Sequence, residues 1–129
     1  MLQSDYCWEI GWGNVLFDYD NDGDKDLYVA NGAMFYDDGT GNTNRFYENQ
    51  NGYFTDITEE ANLVNTLRSV GVASADYDND GDIDLYVTNT NGPNNLYENK
   101  LNNNNHWIKI RLKGTKSNIL GIGAEIEVN

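Results

Sequence analysis

The chain has 129 residues and a formal charge of −13, from 8 Lys and Arg against 21 Asp and Glu. That length suits one average domain or a piece of a larger one. A balance this acidic excludes nucleic acid and anionic membrane surfaces as favoured partners and permits cations, while 39% hydrophobic content leaves enough apolar matter for a core.

Met1 to Asp5 carries neither a basic stretch nor an apolar one, so no signal peptide is read there. No apolar run approaches the roughly 18 residues that span a bilayer, so no membrane insertion is expected. Cys7 has no partner in the chain, which rules out an internal disulfide and reads as a small incidental thiol.

An internal repeat organises most of the chain. Residues 13–31 align with residues 71–89 at an offset of 58 (71 − 13). A second match, Arg45-Phe46-Tyr47-Glu48-Asn49 with Asn95-Leu96-Tyr97-Glu98-Asn99, has an offset of 50. The missing eight residues fall in the connection, where changes of length cost little.

Within each unit the apolar runs 15–17 and 72–75 enter an Asp-rich loop. The runs 27–29 and 85–87 leave it, with β-branched and aromatic content that predicts strands. Third strands are predicted at 46–48 and 96–98, and a fourth at 53–57 in the first unit alone. Thr58-Glu59-Glu60-Ala61 reads as one capped helical turn, and Asn91-Gly92-Pro93-Asn94 as a turn. Tyr28, Tyr47, Tyr86 and Tyr97 recur in register and are expected in the core, with Tyr19 and Tyr77 packing between units.

The tail differs. Residues 102–105 are four Asn in a row, read as a solvated connector. Ile108, Ile110 and Leu112 then alternate with Lys109, Arg111 and Lys113. Ile122, Ala124, Ile126 and Val128 alternate with Gly123, Glu125 and Glu127. That period of two predicts a terminal β-hairpin with its bases opposite its acids. Residues 1–98 hold 19 acids and 3 bases and residues 99–129 hold 2 acids and 5 bases, so the sign changes near Lys100.

Ten of the 14 Asp lie in residues 18–26 and 76–84, both reading D-Y-D-N-D-G-D-x-D. Five carboxylates in nine residues repel one another unless a cation sits among them. The sixth position is Gly in both, which allows a sharp turn about an ion. All-oxygen donors on a flexible loop suit Ca²⁺ better than Mg²⁺. An EF-hand is excluded, because its twelfth position must be Glu and here is Val29 or Val87. The assignment is Asp18, Asp20, Asp22 and Asp26 by side chain with Asp24 by its carbonyl. In the second loop it is Asp76, Asp78, Asp80 and Asp84 by side chain with Asp82 by its carbonyl.

On these residues the two units resemble FG-GAP/VCBS repeats, the blades of integrin alpha-chain-type propellers. The stretch from Asn105 to Gly114, with Gly121-Ile122-Gly123-Ala124, resembles the start of an ASPIC/UnbV domain, as in cartilage acidic protein-type proteins and bacterial relatives. The resemblance implies Ca²⁺ in both loops and secretion, to an extracellular or periplasmic location. The fold expected is all-β: two propeller-type blades at 11–68 and 69–101, an incomplete propeller, then a β-hairpin extension in a partial ASPIC/UnbV-like segment at 105–129. Since a closed propeller needs at least about four blades, the chain is expected to belong to a larger propeller.

Other constellations are weaker. His106 lacks a nucleophile near it in sequence and reads as structural. Gly121-Ile122-Gly123 is a lone pair of glycines, and Gly114-Thr115-Lys116-Ser117 lacks the spacing of a P-loop. Carboxylates held ionised by a metal are poor general acids, so no enzyme is expected. The function expected is a Ca²⁺-binding extracellular module for protein or glycan interaction and adhesion. The alternatives are a non-catalytic part of a secreted carbohydrate-active enzyme and a purely structural repeat.

Overall fold

The computed structural model describes residues 10–32, 43–101, 103–116 and 118–127. Cys7 and most of the first unit's long loop lie outside them. Among the described residues seven strands form two antiparallel sheets. The first sheet has the order β1 (Gly11–Phe17), β2 (Asp26–Asn31), β3 (Arg45–Gln50), β4 (Tyr53–Asp56). The second has the order β5 (Ser69–Ala75), β6 (Asp84–Asn89), β7 (Asn95–Tyr97). Each is a meander of the propeller-blade type, and neither closes on itself.

The strands fall where β-branched and aromatic residues cluster, and the turns fall where the chain can turn. Asn51 and Gly52 join β3 to β4 with φ of 54° and 89°, the pair of positive angles that a two-residue type I′ hairpin demands. After β4 one helical turn follows, with the Ala61 N–H donating to the Ile57 carbonyl at 2.9 Å. Its cap is Asp56, not Thr58. The Asp56 carboxylate accepts from the Thr58 N–H at 3.0 Å and its hydroxyl at 2.6 Å. Thr58 is occupied elsewhere, since its Oγ1 accepts the Phe46 N–H at 2.8 Å. Asn62 closes the turn at φ 56°. The Leu63 N–H donates to the Thr58 carbonyl and the Asn62 N–H to the Glu59 carbonyl, a Schellman ending.

Cross-strand partners share a face, so the register decides what each sheet presents. On the first sheet Val15 stands opposite Tyr28, and Tyr28 opposite Phe46. This face, with Phe17 and Ala30, is buried against the face of the second sheet that carries Leu85 and Val87. Val72, Ile83 and Tyr97 complete the contact from the second blade. Phe46 is its centre, stacked on Phe17 at 5.8 Å and met edge-on by Tyr19 at 5.0 Å. The core therefore lies between the blades, not within either. Burial of such side chains contributes about 1.5–3 kcal/mol each. Strands β1 and β5 run so close that a Cβ on Gly13 would sit 2.9 Å from the Gly71 Cα.

A polar seam accompanies the apolar one. The buried Asn44 amide accepts from the Asn31 N–H at 2.8 Å through its Oδ1. Its Nδ2 donates to the Tyr28 hydroxyl and, across the blades, to Ser69 Oγ, both at 2.9 Å. Ser69 passes the chain on to Asn89 Oδ1 at 2.7 Å.

Three expectations are corrected. Tyr86 was expected in the core with Tyr28, yet Tyr28 is fully buried and Tyr86 is 45% exposed. The two occupy the same register position, but only the first blade has a neighbour on that face. Tyr77 is likewise 52% exposed, whereas Tyr19 packs between the blades as expected. The terminal hairpin does not form. Residues 103–116 and 118–127 carry bends and turns but no strand, and Ile108 and Ile122 are 70% and 78% exposed. A two-stranded ribbon is marginal without a third strand or a surface to pack on.

Candidate metal sites in the two Asp loops

Each Asp loop leaves the end of one strand and returns in the neighbouring one, β1 to β2 and β5 to β6. Two left-handed residues fold it back. They are Asn21 and Gly23 (φ 59° and 97°) in the first loop, and Asn79 and Gly81 (66° and 100°) in the second. Asn and Gly are the residues that enter this region at least cost. The folded-back amides then point at the carboxylates. The Asp22 N–H donates to Asp18 Oδ1 at 3.1 Å and to Asp20 Oδ1 at 3.2 Å, and the Gly23 N–H to Asp18 Oδ2 at 3.0 Å. The second loop repeats this in part, with the Asp80 N–H donating to Asp78 Oδ1 at 3.3 Å.

The ninth position anchors the loop to the blade. Asp26 is 1% exposed and Asp84 2%. Asp26 accepts the N–H groups of Tyr19 and Asn49, both at 2.9 Å. Asp84 accepts those of Tyr77 at 3.0 Å and Asn99 at 2.9 Å. Asn49 and Asn99 were visible only as the end of the repeated Tyr-Glu-Asn. Their position beside β2 and β6 reveals them as the partners of the buried aspartates.

Of the ten sequence-assigned aspartates, six converge. Asp18, Asp20 and Asp26 bring carboxylate oxygens within 4.8 Å of one another, as do Asp76, Asp78 and Asp84. Each triad could hold a metal ion. Asp22 and Asp80 stand apart and accept the N–H two residues on, at 2.8 and 2.9 Å. The Asp24 and Asp82 carboxylates turn outward. They accept the N–H groups of Asn51 at 2.6 Å and Leu101 at 2.9 Å, tying each loop to the chain beyond the third strand.

The crowding has an electrostatic signature. Burial and the neighbouring Asp22 raise Asp20 above the usual carboxylate range. Burial raises Asp26 too, aided by Asp22 and Asp18 and opposed by the hydrogen bonds from Tyr19 and Asn49. Asp78 moves the same way, by partial desolvation and by Asp80. A group pushed toward its neutral form by anionic neighbours is one that a cation would restore to its charged form.

The tail crosses these loops, which its sequence did not foretell. Asn103 and Asn105 donate their side-chain amides to the Asp20 carbonyl at 2.7 and 3.0 Å, so the Asn run is not simply a solvated connector. Lys109 Nζ reaches Asn79 Oδ1 at 2.9 Å and Asp76 Oδ2 at 3.5 Å. Trp107 lies against Gly81, where any Cβ would collide with the indole. His106 is exposed.

No curated protein and no solved structure matches the chain. A family model does, that of the FG-GAP-like repeat, over residues 18–87, from the first aspartate of the first loop to the middle of β6. The match spans both Asp loops and more than half of the sequence, and the chain belongs to the FG-GAP-like repeat family.

Proposed function

We propose that this chain is a Ca²⁺-binding interaction module that works outside the cytoplasm, with one ion in each Asp loop. The observation that carries the reading is the duplicated triad: two sets of three converging carboxylates at equivalent places in two repeats. The donor set fits the ion. It is all oxygen, it includes a carboxylate buried at the strand end, and burial together with the neighbouring aspartates raises Asp20 and Asp26. Hard cations with many oxygen ligands prefer such sites. Asp18, Asp20 and Asp26 would hold the first ion and Asp76, Asp78 and Asp84 the second. Asp22 and Asp80, which stand apart from the triads, would turn in to complete the cages, joined by the carbonyls of Asp24 and Asp82. The ion would supply charge neutralisation and stiffness.

Millimolar extracellular Ca²⁺ fills even weak loops of this kind, and FG-GAP-like repeats are typical of proteins outside the cell. The loops lie together at one end of the blades, with the Asn21 amide donating to Asp82 Oδ1 at 3.3 Å. A metal-ordered surface there suits a protein or glycan partner and adhesion. The resemblance of the tail to the start of an ASPIC/UnbV domain supports the same setting. Titration calorimetry with Ca²⁺ is the test. Two sites are expected at or below millimolar Kd, and both are lost in Asp20→Ala with Asp78→Ala. Binding weaker than millimolar, or binding unchanged in the double variant, would overturn the reading. Glycan and protein arrays probed with Ca²⁺ and with chelator then identify the partner class.

A further inference from the structure

The two Asp loops share a sequence but not a neighbour. The tail crosses both and offers them different groups. To the first loop it gives neutral amides. Asn99 Nδ2 donates to the Tyr19 carbonyl at 2.7 Å, and Asn103 and Asn105 donate to the Asp20 carbonyl at 2.7 and 3.0 Å. To the second loop it gives a charge. Lys109 Nζ lies 3.5 Å from Asp76 Oδ2 and donates to Asn79 Oδ1 at 2.9 Å. Two contacts hold the tail in that place. The Leu101 N–H donates to Asp82 Oδ2 at 2.9 Å. Trp107 lies on Gly81, in space that any side chain at that position would fill.

Asp76 itself differs from its counterpart Asp18. Both Asp18 oxygens accept from amides of their own loop, those of Asp22 and Gly23. Asp76 Oδ1 is buried and has no hydrogen-bond partner among the described residues, while Oδ2 faces the Lys109 ammonium. A buried carboxylate oxygen without a donor is costly, and a cation relieves it. The need of Asp76 for a cation is thus met in part by one tethered to the same chain.

We propose that Lys109 is a built-in competitor for the second loop: Ca²⁺ enters there as the ammonium leaves Asp76, and its entry frees the tail from Gly81. This rests on the Ca²⁺ reading of the loops and adds a regulation to it. A divalent ion among Asp76, Asp78 and Asp84 repels an ammonium drawn to the same carboxylates, so the two exclude each other. The first loop meets the tail through amides on a backbone carbonyl, and its ion displaces no charge. Two loops of nearly identical sequence therefore become a tighter and a weaker site. Filling the weaker one changes where the tail lies.

Calorimetry with Ca²⁺ on single-site variants tests this. Asp20→Ala leaves the second loop to bind and keeps the carbonyl that Asn103 and Asn105 hold; Asp78→Ala leaves the first. The Lys109 side chain is 62% exposed, and an ion pair so exposed is weak. Adding Lys109→Gln to Asp20→Ala is therefore expected to tighten Ca²⁺ binding about two- to fivefold. The same change in Asp78→Ala, or Lys113→Gln in either background, is expected to leave affinity nearly unchanged at about 0.15 M salt, where net charge alone is screened. Trp107 emission, taken as the difference from Trp107→Phe, should move to the red as Ca²⁺ fills the second loop and stay in place as it fills the first. A second loop that Lys109→Gln tightens no more than Lys113→Gln does overturns the proposal, and so does Trp107 emission indifferent to its filling. In both cases Ca²⁺ still binds and the reading of the loops stands. Loops that bind no Ca²⁺ with Lys109 or without it bring down that reading, and this proposal with it.

Discussion

Asp20→Asn should change stability in opposite directions with and without Ca²⁺. Asparagine keeps an acceptor for the Asp22 N–H, which also donates to Asp18, so the loop loses no hydrogen bond. What it loses is one charge among carboxylates whose oxygens lie within 4.8 Å of one another. At that distance each repulsion is worth about 1 kcal/mol in water and about 3.5 kcal/mol at an effective dielectric of 20. Asp20 is half-buried, so the lower end applies. In chelator the variant should therefore be more stable by about 1 kcal/mol, roughly 3–6 °C in melting temperature for a chain this size. In Ca²⁺ the sign reverses. An ion at a hundredfold excess over its Kd adds about 2.7 kcal/mol to the folded state, and the variant forfeits that increment at the first loop while keeping it at the second. Thermal melts of both proteins in chelator and in Ca²⁺ provide the four numbers. A variant that melts below wild type in chelator would refute the repulsion argument. A Ca²⁺-induced shift equal to that of wild type would refute the assignment of Asp20.

Position-matched substitutions should separate the occupied from the open blade face. Asn44→Ala leaves the buried Asn31 N–H without its acceptor and should cost about 1–3 kcal/mol, whereas the exposed Asn94→Ala should cost under about 1 kcal/mol in dilute solution; equal losses in urea melts would contradict the burial assigned. Gly13→Ala would push a methyl to 2.9 Å from the Gly71 Cα. It should destabilise by about 1–3 kcal/mol, and a neutral effect would mean that β1 and β5 are not in contact. Burial raises the Tyr28 hydroxyl pKa, with a contribution from Tyr97. Because the folded state then holds this proton more tightly than the unfolded one, stability is intact below the ordinary tyrosine pKa near 10 and declines as pH climbs above it. Phenolate absorbance should show Tyr28 ionising after the exposed tyrosines or together with unfolding, and Tyr28→Phe should soften the alkaline decline.

Much was legible in the sequence alone, because local rules set it. The repeat at offset 58 located both Asp loops and the strands flanking them. The sixth-position Gly of each loop, Gly23 and Gly81, carries the positive φ that a sharp turn there requires. Asp18, Asp20 and Asp26 and their counterparts lie close because one nine-residue loop holds each set.

Tertiary structure decided what near-identical repeats do differently. Tyr28 and Tyr86 sit in equivalent strands with equivalent neighbours, and nothing local distinguishes them. One is buried and the other exposed because only one has a blade packed on its side. The same holds for Asn49 and Asn99 as partners of Asp26 and Asp84, a pairing made by strands meeting side by side. It holds also for the tail, whose alternating pattern promised a hairpin that found no sheet to join. Periodicity records which side of a strand is apolar. Whether that side is covered depends on a second surface, and its presence is a property of the assembled chain.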